Sequence, residues 1–591
     1  MQINPEIKKI KIGLLLNSLQ CELWMYNIIK SLVELDHILI ELIVINDART
    51  QVKKKSEDKT NRFKQIKSEL KDNYLFFNYL KWDKEFFAEK NNAFETRDVS
   101  DLMEKVEKIK VSPRQTKFSD FIEGDDLIKV QEKQLDVIIR FGFRILKGEI
   151  LNAAQYGVWS YHHDDNTEYR GAPGLFWEVY ENNPKSGTIL QILNTKLDNG
   201  KVIYRSLSNT KNLSFHQNRN NNYLKTSNFI LIRLKQLHLF GWDFIKNLET
   251  YNEEISYEKK IYKSPNNKEI IKLHFKLFFR NLKLNFRKQF FNEYWEVYVK
   301  IKNKRIKIKS KNNHWYADPF PIKKDDSTYV FFEDFIVDEN KACISCVKID
   351  ANLNFSEPKT VLKEDYHLSY PHVFLYEGEY YMIPETKESN SIRLYKSSEF
   401  PFKWEYVKTL ISDVKAVDAT ILFHHEKVWL FTNIEKYGVS SWEELHIYYS
   451  DNLFGEWKQH ALNPVISDVS CSRPAGNIYK NGMGKLFRPS QDCSISYGYA
   501  ININEIVKLN HFEYKEKIVR KILPNKYFKA RGIHTYNTID DFMFFDLKKS
   551  SKNRDYNIFK FLKNSKGIYH HRPIRLFTKH LLKLLIFGKA K

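Results

Sequence analysis

The carboxy-terminal half carries one two-strand pattern five times, at a spacing of roughly fifty residues, and that period limits the possible folds more than any other feature of the chain. Trp315-Tyr316-Ala317-Asp318-Pro319-Phe320 leads to Tyr329–Glu333, and Ser369-Tyr370-Pro371-His372-Val373-Phe374 leads to Tyr380–Glu385. Val417–Phe423 leads to Trp429–Thr432, Ser472–Gly476 to Leu486–Asp492, and Arg531–Thr535 to Phe542–Asp546. Copies of a strand pair at this period predict an all-β five-bladed propeller over 311–550.

In a propeller the first strand of each blade lines the central channel, so equivalent polar residues converge at one end. Asp318, His372, Asp418, Arg473 and His534 are read at that position, joined on the next strand by Glu333, Glu385 and Asp492. Two or three carboxylates with an arginine are what glycosidic bond cleavage or tight sugar binding uses. ADPF, FFED, SYPHVF, MIPE, SRPAG and PSQDC, in that order, resemble the amino-terminal domain of plant glucosamine inositolphosphorylceramide transferases. The layout is also similar to the five-bladed family 43 glycoside hydrolases, with Ala317-Asp318-Pro319 at the place of their blade-one base. The resemblance implies a glycan-handling channel without fixing its chemistry.

In the other half, Leu135–Arg205 is the most informative stretch. Val137-Ile138-Ile139 is an apolar β-branched run, Gly142 follows, and Ile145–Ala154 predicts a helix. That reads as a buried parallel strand feeding a loop at the sheet edge where open α/β folds bind ligands. Val158–His162 is a second strand on which Ser160 and His162 share a face. A third strand, Thr188–Leu193, leads into the turn Asp198-Asn199-Gly200, which sets a carboxylate at a strand end.

This stretch, opening LDVIIRFGFRILKGEILNAAQYGVWSYHH, resembles the catalytic half of the folate-dependent formyltransferases. The resemblance implies a Rossmann-type parallel sheet over 1–205, with 10-formyltetrahydrofolate as cofactor and Ser160, His162 and Asp198 as catalytic residues. Phe141, Gly142, Phe143, Arg144, Ile145 and Leu146 fall on the loop that lines the folate pocket in that family. His163, Asp165, Tyr169 and Arg170 follow as substrate-binding candidates, and no metal is expected. Ser160 stands where the family has Asn, one donor on a shorter arm. The usual S-L-L-P after the His is replaced by His163-Asp164-Asp165-Asn166-Thr167.

Between the halves, 206–310 reads as a helical connector, with helix-like runs at Phe229–Leu239 and Ile270–Phe291. Residues 551–591 form a basic amphipathic tail: apolar residues recur at helical spacing from Ile574 to Phe587, with Arg575, Lys579 and Lys583 on one stripe. Such a helix lies on an anionic bilayer or docks on its own protein.

A chain of 591 residues is too long for one core. Its five cysteines are odd in number and scattered, which argues for a reducing compartment. Cys343 and Cys346 sit three apart in an alternating strand and so face opposite sides, poorly placed for zinc. No stretch approaches eighteen apolar residues and Met1–Lys11 is charged, so a cytoplasmic location is expected, with peripheral contact at the inner face of the membrane through the tail. Much of the net charge of +22 lies in tracts such as Lys53–Lys67 and Lys300–Lys311, without zinc-finger or RNP-type motifs, so nucleic acid is not an expected partner.

The expectation is transfer of a formyl group from 10-formyltetrahydrofolate to a nucleotide- or lipid-linked amino sugar in cell-surface glycan synthesis, the propeller holding the glycan. One alternative is a propeller-based glycoside hydrolase or glycosyl transfer enzyme using Asp318, Asp418 and Glu385, with a repurposed formyltransferase fold. The other is a glycan-binding protein in which both modules are catalytically silent.

Overall fold

A computed structural model describes residues 9–48, 59–196, 199–248, 260–302, 304–524 and 530–552. The amino-terminal strands are β1 (Ile10–Leu16), β2 (Ile38–Asn46), β3 (Glu107–Val111), β4 (Val137–Arg140), β5 (Val158–His162), β6 (Lys185–Ile192) and β7 (Lys201–Asn209). They form one seven-stranded sheet in the order β7-β6-β5-β4-β1-β2-β3. β1 to β5 are mutually parallel, β6 runs against β5, and β7 against β6. β1 and β2 read IKIGLLL and ILIELIVIN, nearly continuous apolar runs, because a parallel sheet covered on both faces leaves no side for water.

Five helices matter here: α1 (Leu23–Val33), α2 (Lys59–Phe86), α3 (Phe215–Thr226), α4 (Phe229–Lys246) and α5 (Asn267–Phe290). One face of the sheet packs Ile12, Leu14, Ile43 and Trp159 against Trp24, Ile28 and Leu32 of α1 and Phe229, Leu234 and Leu237 of α4. The other face packs Leu15, Val44, Ile138 and Val158 against Ile150 and Leu151. A separate aromatic core joins Phe76 and Tyr79 of α2, Phe176, Phe215 of α3, and Ile270 and Leu273 of α5.

The helix expected over Ile145–Ala154 is instead a short strand, Ile145–Lys147, paired with Ser119–Phe121, followed by a 3₁₀ turn at Glu149–Asn152. Gly148 between them has φ of +85°, a left-handed step that a continuous helix cannot contain.

The propeller is directly visible in five sheets of four or more antiparallel strands. Blades one to four take their strands from 314–362, 369–412, 415–467 and 479–522. Blade five is built from both ends of the region: Tyr536–Ile539 and Phe542–Lys552 pair with Phe291–Ile301 and Lys304–Lys307. Phe291–Ile301 runs against Phe542–Lys552 without a break, from Phe291 opposite Lys552 to Ile301 opposite Phe542. The propeller therefore begins inside the segment read as a connector, because the entry strand closes the ring. Each pair of neighbouring blades shares one apolar cluster, and the five clusters run once around the circle.

The two halves are joined by buried polar contacts. Tyr204 Oη donates to Glu444 Oε1 at 3.2 Å, Ser467 Oγ donates to Ser206 Oγ at 2.8 Å, and Val469 N–H donates to Leu207 O at 3.0 Å. Lys225, 1% exposed, lies 3.5 Å from Glu443. Gly438 packs so closely on α3 that a Cβ there would lie 2.6 Å from the Leu224 carbonyl carbon, and its φ is +73°. The tail beyond Lys552 lies outside the described residues.

Candidate functional site

The first strands of the five blades meet through side chains. Gly476 N–H donates to Tyr370 Oη at 2.7 Å, and Tyr370 Oη lies 2.9 Å from Thr420 Oγ1. Asn537 Nδ2 donates to Pro319 O at 2.8 Å, and Asn477 N–H donates to Asn537 Oδ1 at 2.7 Å. These contacts fill the axis at that level.

Blades one to three share a local device. Strand pairing skips between Ala317 and Phe320, Ser369 and His372, and Val417 and Thr420. The first residue of each bulge, Asp318, Tyr370 and Asp418, has φ of +51°, +45° and +53°. A non-glycine residue held left-handed costs about 1–3 kcal/mol and persists only where its surroundings over-determine it. The bulge also fixes the alignment between blades. Tyr370, not His372, is the blade-two equivalent of Asp318, and His372 aligns with Phe320 and Thr420.

Asp318 is the hub of one half of the cluster. Its N–H donates to Asp546 Oδ2 at 3.0 Å, its Oδ2 accepts Tyr370 N–H at 3.2 Å, and Thr535 Oγ1 donates to its Oδ1. His534 bridges two carboxylates, with Nδ1 2.6 Å from Asp546 and Nε2 3.6 Å from Asp318. Trp295 of the entry strand stacks on that imidazole at 3.8 Å. Burial opposes the charge on His534, but Asp546 and then Asp318 outweigh it and raise its pKa to about 9. Burial raises the Asp318 carboxyl to about 7, with His534 pulling the other way.

The other half centres on Arg473. Its Nε–H donates to Asp418 Oδ2 at 2.5 Å, Nη2 donates to Asp418 Oδ1 at 3.2 Å, and Nη2 lies 3.6 Å from Glu385. Gln491 Nε2 also donates to Asp418, at 2.9 Å. Burial and the Asp418 carboxylate raise Glu385 to about 8 against the pull of Arg473. Tyr497 covers the guanidinium, its ring 4.9 Å away, and stacks at its outer side on Trp442. Glu333 completes the rim, with His367 at 3.3 Å.

Asp318, Glu333, Glu385, Asp418, Arg473 and His534 thus converge. His372 and Asp492 do not join them. His372 Nε2 accepts Ile421 N–H at 3.0 Å, so its Nδ1 carries the proton and donates to Asn477 Oδ1 at 2.9 Å. It pins three blades together, and burial lowers its pKa to about 4. Asp492 turns outward to Lys521 and accepts Ser494 N–H at 2.9 Å. Asp546, Gln491, Tyr497 and Trp295 were missed by the sequence reading. Asp546 holds the second-strand position of blade five, as Glu333 and Glu385 do in blades one and two, so the repeat carried that signal. Tyr497 lies in a loop and Trp295 on the entry strand, where no repeat register reaches.

In the amino-terminal half, Arg140 Nη1 donates to Ser160 Oγ at 2.9 Å, and Ser160 Oγ donates to Tyr161 O at 3.3 Å. Arg140 Nη2 also holds the following loop by Phe143 O at 3.1 Å and Arg144 O at 2.7 Å. Asn17 Oδ1 accepts Phe143 N–H, and Arg144 is paired with Asp120. A Cβ on Gly142 would lie 2.6 Å from Asn17 N, so loop and sheet edge are in contact. Phe143 and Leu146 are turned into the core, Phe141 packs edge-on to Trp24 at 5.7 Å, and Ile145 is half-buried. His162 is half-buried at the end of β5, and Asp198 lies outside the described residues.

The substrate-binding candidates serve internal packing. His163 stacks on Tyr223 at 3.6 Å, and burial holds its pKa well below the usual range. Asp165 Oδ1 caps Thr167 N–H at 3.1 Å, Tyr169 Oη donates to Glu181 at 3.1 Å, and Arg170 is buried where its strand pairs with Ile261–Tyr262.

The family described as Glucosamine inositolphosphorylceramide transferase 1, N-terminal, matches residues 300–551. The match confines itself to the propeller. Glucosamine inositolphosphorylceramide transferase 1 of Oryza sativa subsp. japonica is 35% identical over 207 residues, 34% of this chain and 28% of the rice protein. Its Arabidopsis thaliana counterpart is 33% identical over 208 residues, 34% of this chain and 27% of that protein. The chain therefore spans little more than a quarter of the length of these curated relatives. Among solved structures, a family 117 glycoside hydrolase from Zobellia galactanivorans gives a TM-score of 0.31 at 10% identity, covering 45% of this chain and 92% of its own. A family 43 β-xylosidase/α-arabinofuranosidase from a compost metagenome gives 0.31 at 13%, covering 42% and 94%. The five-bladed assignment rests on the sheets above rather than on these low scores.

Proposed function

We propose that the chain is a glycan-directed transferase whose sugar site is the axial cluster of the propeller. The observation that carries this reading is the split environment of its carboxyls. Glu385 is held protonated near neutral pH by burial beside the Asp418 carboxylate, while Asp318 faces the cationic imidazole of His534. Carboxyl groups pushed into opposite roles by their surroundings are the arrangement for acid and base work at a glycosidic centre. Glu385, the acid beside Arg473, donates a proton to the departing oxygen. Asp318, steadied by cationic His534, accepts one from the incoming hydroxyl. Trp442, half-buried and stacked outside Tyr497, supplies an aromatic face for a sugar ring. The depth of the cluster favours transfer to a bound acceptor over attack by bulk water. The names of the plant relatives support glucosamine chemistry on an inositolphosphorylceramide as the first substrates to try.

The test is turnover of nucleotide-linked amino sugars with an inositolphosphoryl lipid acceptor, comparing wild type with Glu385→Gln and Asp318→Asn. Both variants are expected to fold, bind sugar and lose turnover; wild-type rates in both would defeat the reading.

A second reading, formyl transfer from 10-formyltetrahydrofolate to an amino sugar, rests on the resemblance of Leu135–Arg205 and on His162 at the carboxyl edge of β5. Ser160 bonded to Arg140 and Phe143 turned into the core fit that donor poorly, and no step is derived through it. Titration with a stable folate analogue decides the point, since absence of binding removes this reading.

A further inference from the structure

We infer that α5 is a docking face for an anionic bilayer. Among the described residues, one face of this helix packs on the core, its Lys276–Arg280 flank is hydrogen-bonded to neighbouring loops, and a third face is left open. Ile270, Leu273, His274 and Leu277 are buried against α2 and the aromatic core. At 3.6 residues per turn, Ile271, Phe275, Phe279, Leu282 and Phe286 fall on a second stripe. That stripe is open to solvent, with exposures of 43%, 46%, 62%, 45% and 47%. It extends about 22 Å at 1.5 Å per residue. Exposed lysines Lys268, Lys272 and Lys283 border it, and Glu269 near the amino terminus is the helix's one acidic residue.

Isolated exposed apolar residues are ordinary, but a continuous stripe of large ones on one rigid helix is not. The helix cannot roll to hide it. Arg280 Nη1 donates to Val179 O at 2.7 Å and Asn212 O at 2.9 Å, Lys276 Nζ donates to Tyr180 O at 2.9 Å, and Asn267 Oδ1 accepts Leu75 N–H at 3.0 Å. Near that last anchor, α2 adds exposed Tyr74 and Phe77. A second protein would have to match both a greasy stripe and a one-sided cationic border. A bilayer interface with anionic headgroups matches both: phenylalanines enter the headgroup–acyl boundary while the lysines reach the headgroups. This inference is independent of the axial reading, because the stripe lies on the amino-terminal half.

Cosedimentation of the full-length chain with vesicles of phosphatidylcholine alone, or with added phosphatidylserine, tests it. Binding to the anionic vesicles is expected, weakened by salt and by Lys272→Glu with Lys283→Glu. Phe275→Ser, Phe279→Ser and Leu282→Ser together should lower it about tenfold or more, since each removes exposed apolar surface without touching the core. Unchanged propeller sugar binding in that triple variant separates this outcome from the fate of the axial site. The proposal is overturned if wild type ignores anionic vesicles at low salt, or if the triple variant binds them as wild type does. A dimer in vesicle-free buffer that the triple variant dissolves would assign the stripe to a second copy and also overturn it.

Discussion

Arg473→Met is the sharpest perturbation of the axial cluster. The wild-type guanidinium holds Asp418 through two hydrogen bonds and faces Glu385, and its side chain is only 7% exposed. Methionine fills much of the volume but leaves two carboxyls facing one another without a cation. Removing one partner of a buried pair costs about 3–5 kcal/mol, mostly because the remaining charge is stranded. For a domain of the propeller's size, about 2–4 °C of Tm per kcal/mol translates this to a fall of about 6–20 °C. The stranded carboxyls can escape by binding protons, so the loss should grow from pH 6 to pH 8, at about 1.4 kcal/mol for each unit of forced protonation. Adding Asp418→Asn to Arg473→Met removes the stranded charge and should recover more than half of the loss. Calorimetry of the single and double variants across pH is the assay. A single variant within 2 °C of wild type at pH 8, or a double variant no better than the single, would show that the cluster is not an ion-pair network at all.

Other consequences follow from the same geometry. His534 has a folded pKa of about 9 against an ordinary 6.5, so its contribution is fully present below about 6.5 and lost as pH rises through about 9. The raised Asp318 and Glu385 act in the same direction, because the unfolded chain ionises first. Denaturation midpoints should therefore fall with rising pH between neutrality and about 9, and His534→Gln should flatten the upper part of that fall; a flat wild-type profile contradicts the assignment. Lys225→Met, which strands Glu443 at the junction of the halves, should cost about 1.5–3 kcal/mol and make the junction more susceptible to limited proteolysis, whereas Lys235→Met on exposed α4 surface should not. Asn537→Leu removes two cross-axis hydrogen bonds and should destabilise the propeller by about 1–3 kcal/mol in urea titration without changing the amino-terminal melting step.

The propeller was legible because its signal is a period, and each blade repeats an apolar strand pair. Its point of entry was not. Phe291–Ile301 belongs to blade five by pairing with a strand that lies far along the chain, and no local pattern records a partner so distant. Most of the axial cluster was legible for the same reason as the blades. The His372 assignment failed because Tyr370, two residues earlier, holds the bulge position of Asp318 and Asp418, and apolar spacing alone does not mark which residue of S-Y-P-H takes it. In the amino-terminal half the strands announced themselves by composition. The roles of Ser160 and His163 did not: whether a polar side chain faces a ligand or a buried partner depends on Arg140 and Tyr223, which reach them only in the folded state.

The junction between the halves bears directly on the axial site. Three propeller loops supply its arginine and its aromatic cover, and each is gripped by the amino-terminal half. The first runs from Tyr437 to Glu444, meets α3 and β7 through Gly438, Glu443 and Glu444, and places Ser441 Oγ 3.4 Å from Arg473 Nη1. The second is tied at Asp468 and Val469 to Leu207 of β7 and leads within a few residues to Arg473. The third is held where Asn209 Nδ2 donates to Ser494 O, three residues before Tyr497. An α/β sheet docked in this way fixes the spacing between Arg473, Tyr497 and Trp442 more firmly than the blades could alone, since connecting loops otherwise carry little packing of their own. If that clamp matters, loosening β7 with Ser206→Gly and Asn209→Gly should raise the mobility of Tyr497 and Trp442 in fluorescence anisotropy and weaken sugar binding, while the propeller's own melting step stays in place. Unchanged binding with a loosened junction would mean that the axial geometry is set by the blades, and that the amino-terminal half serves a separate purpose.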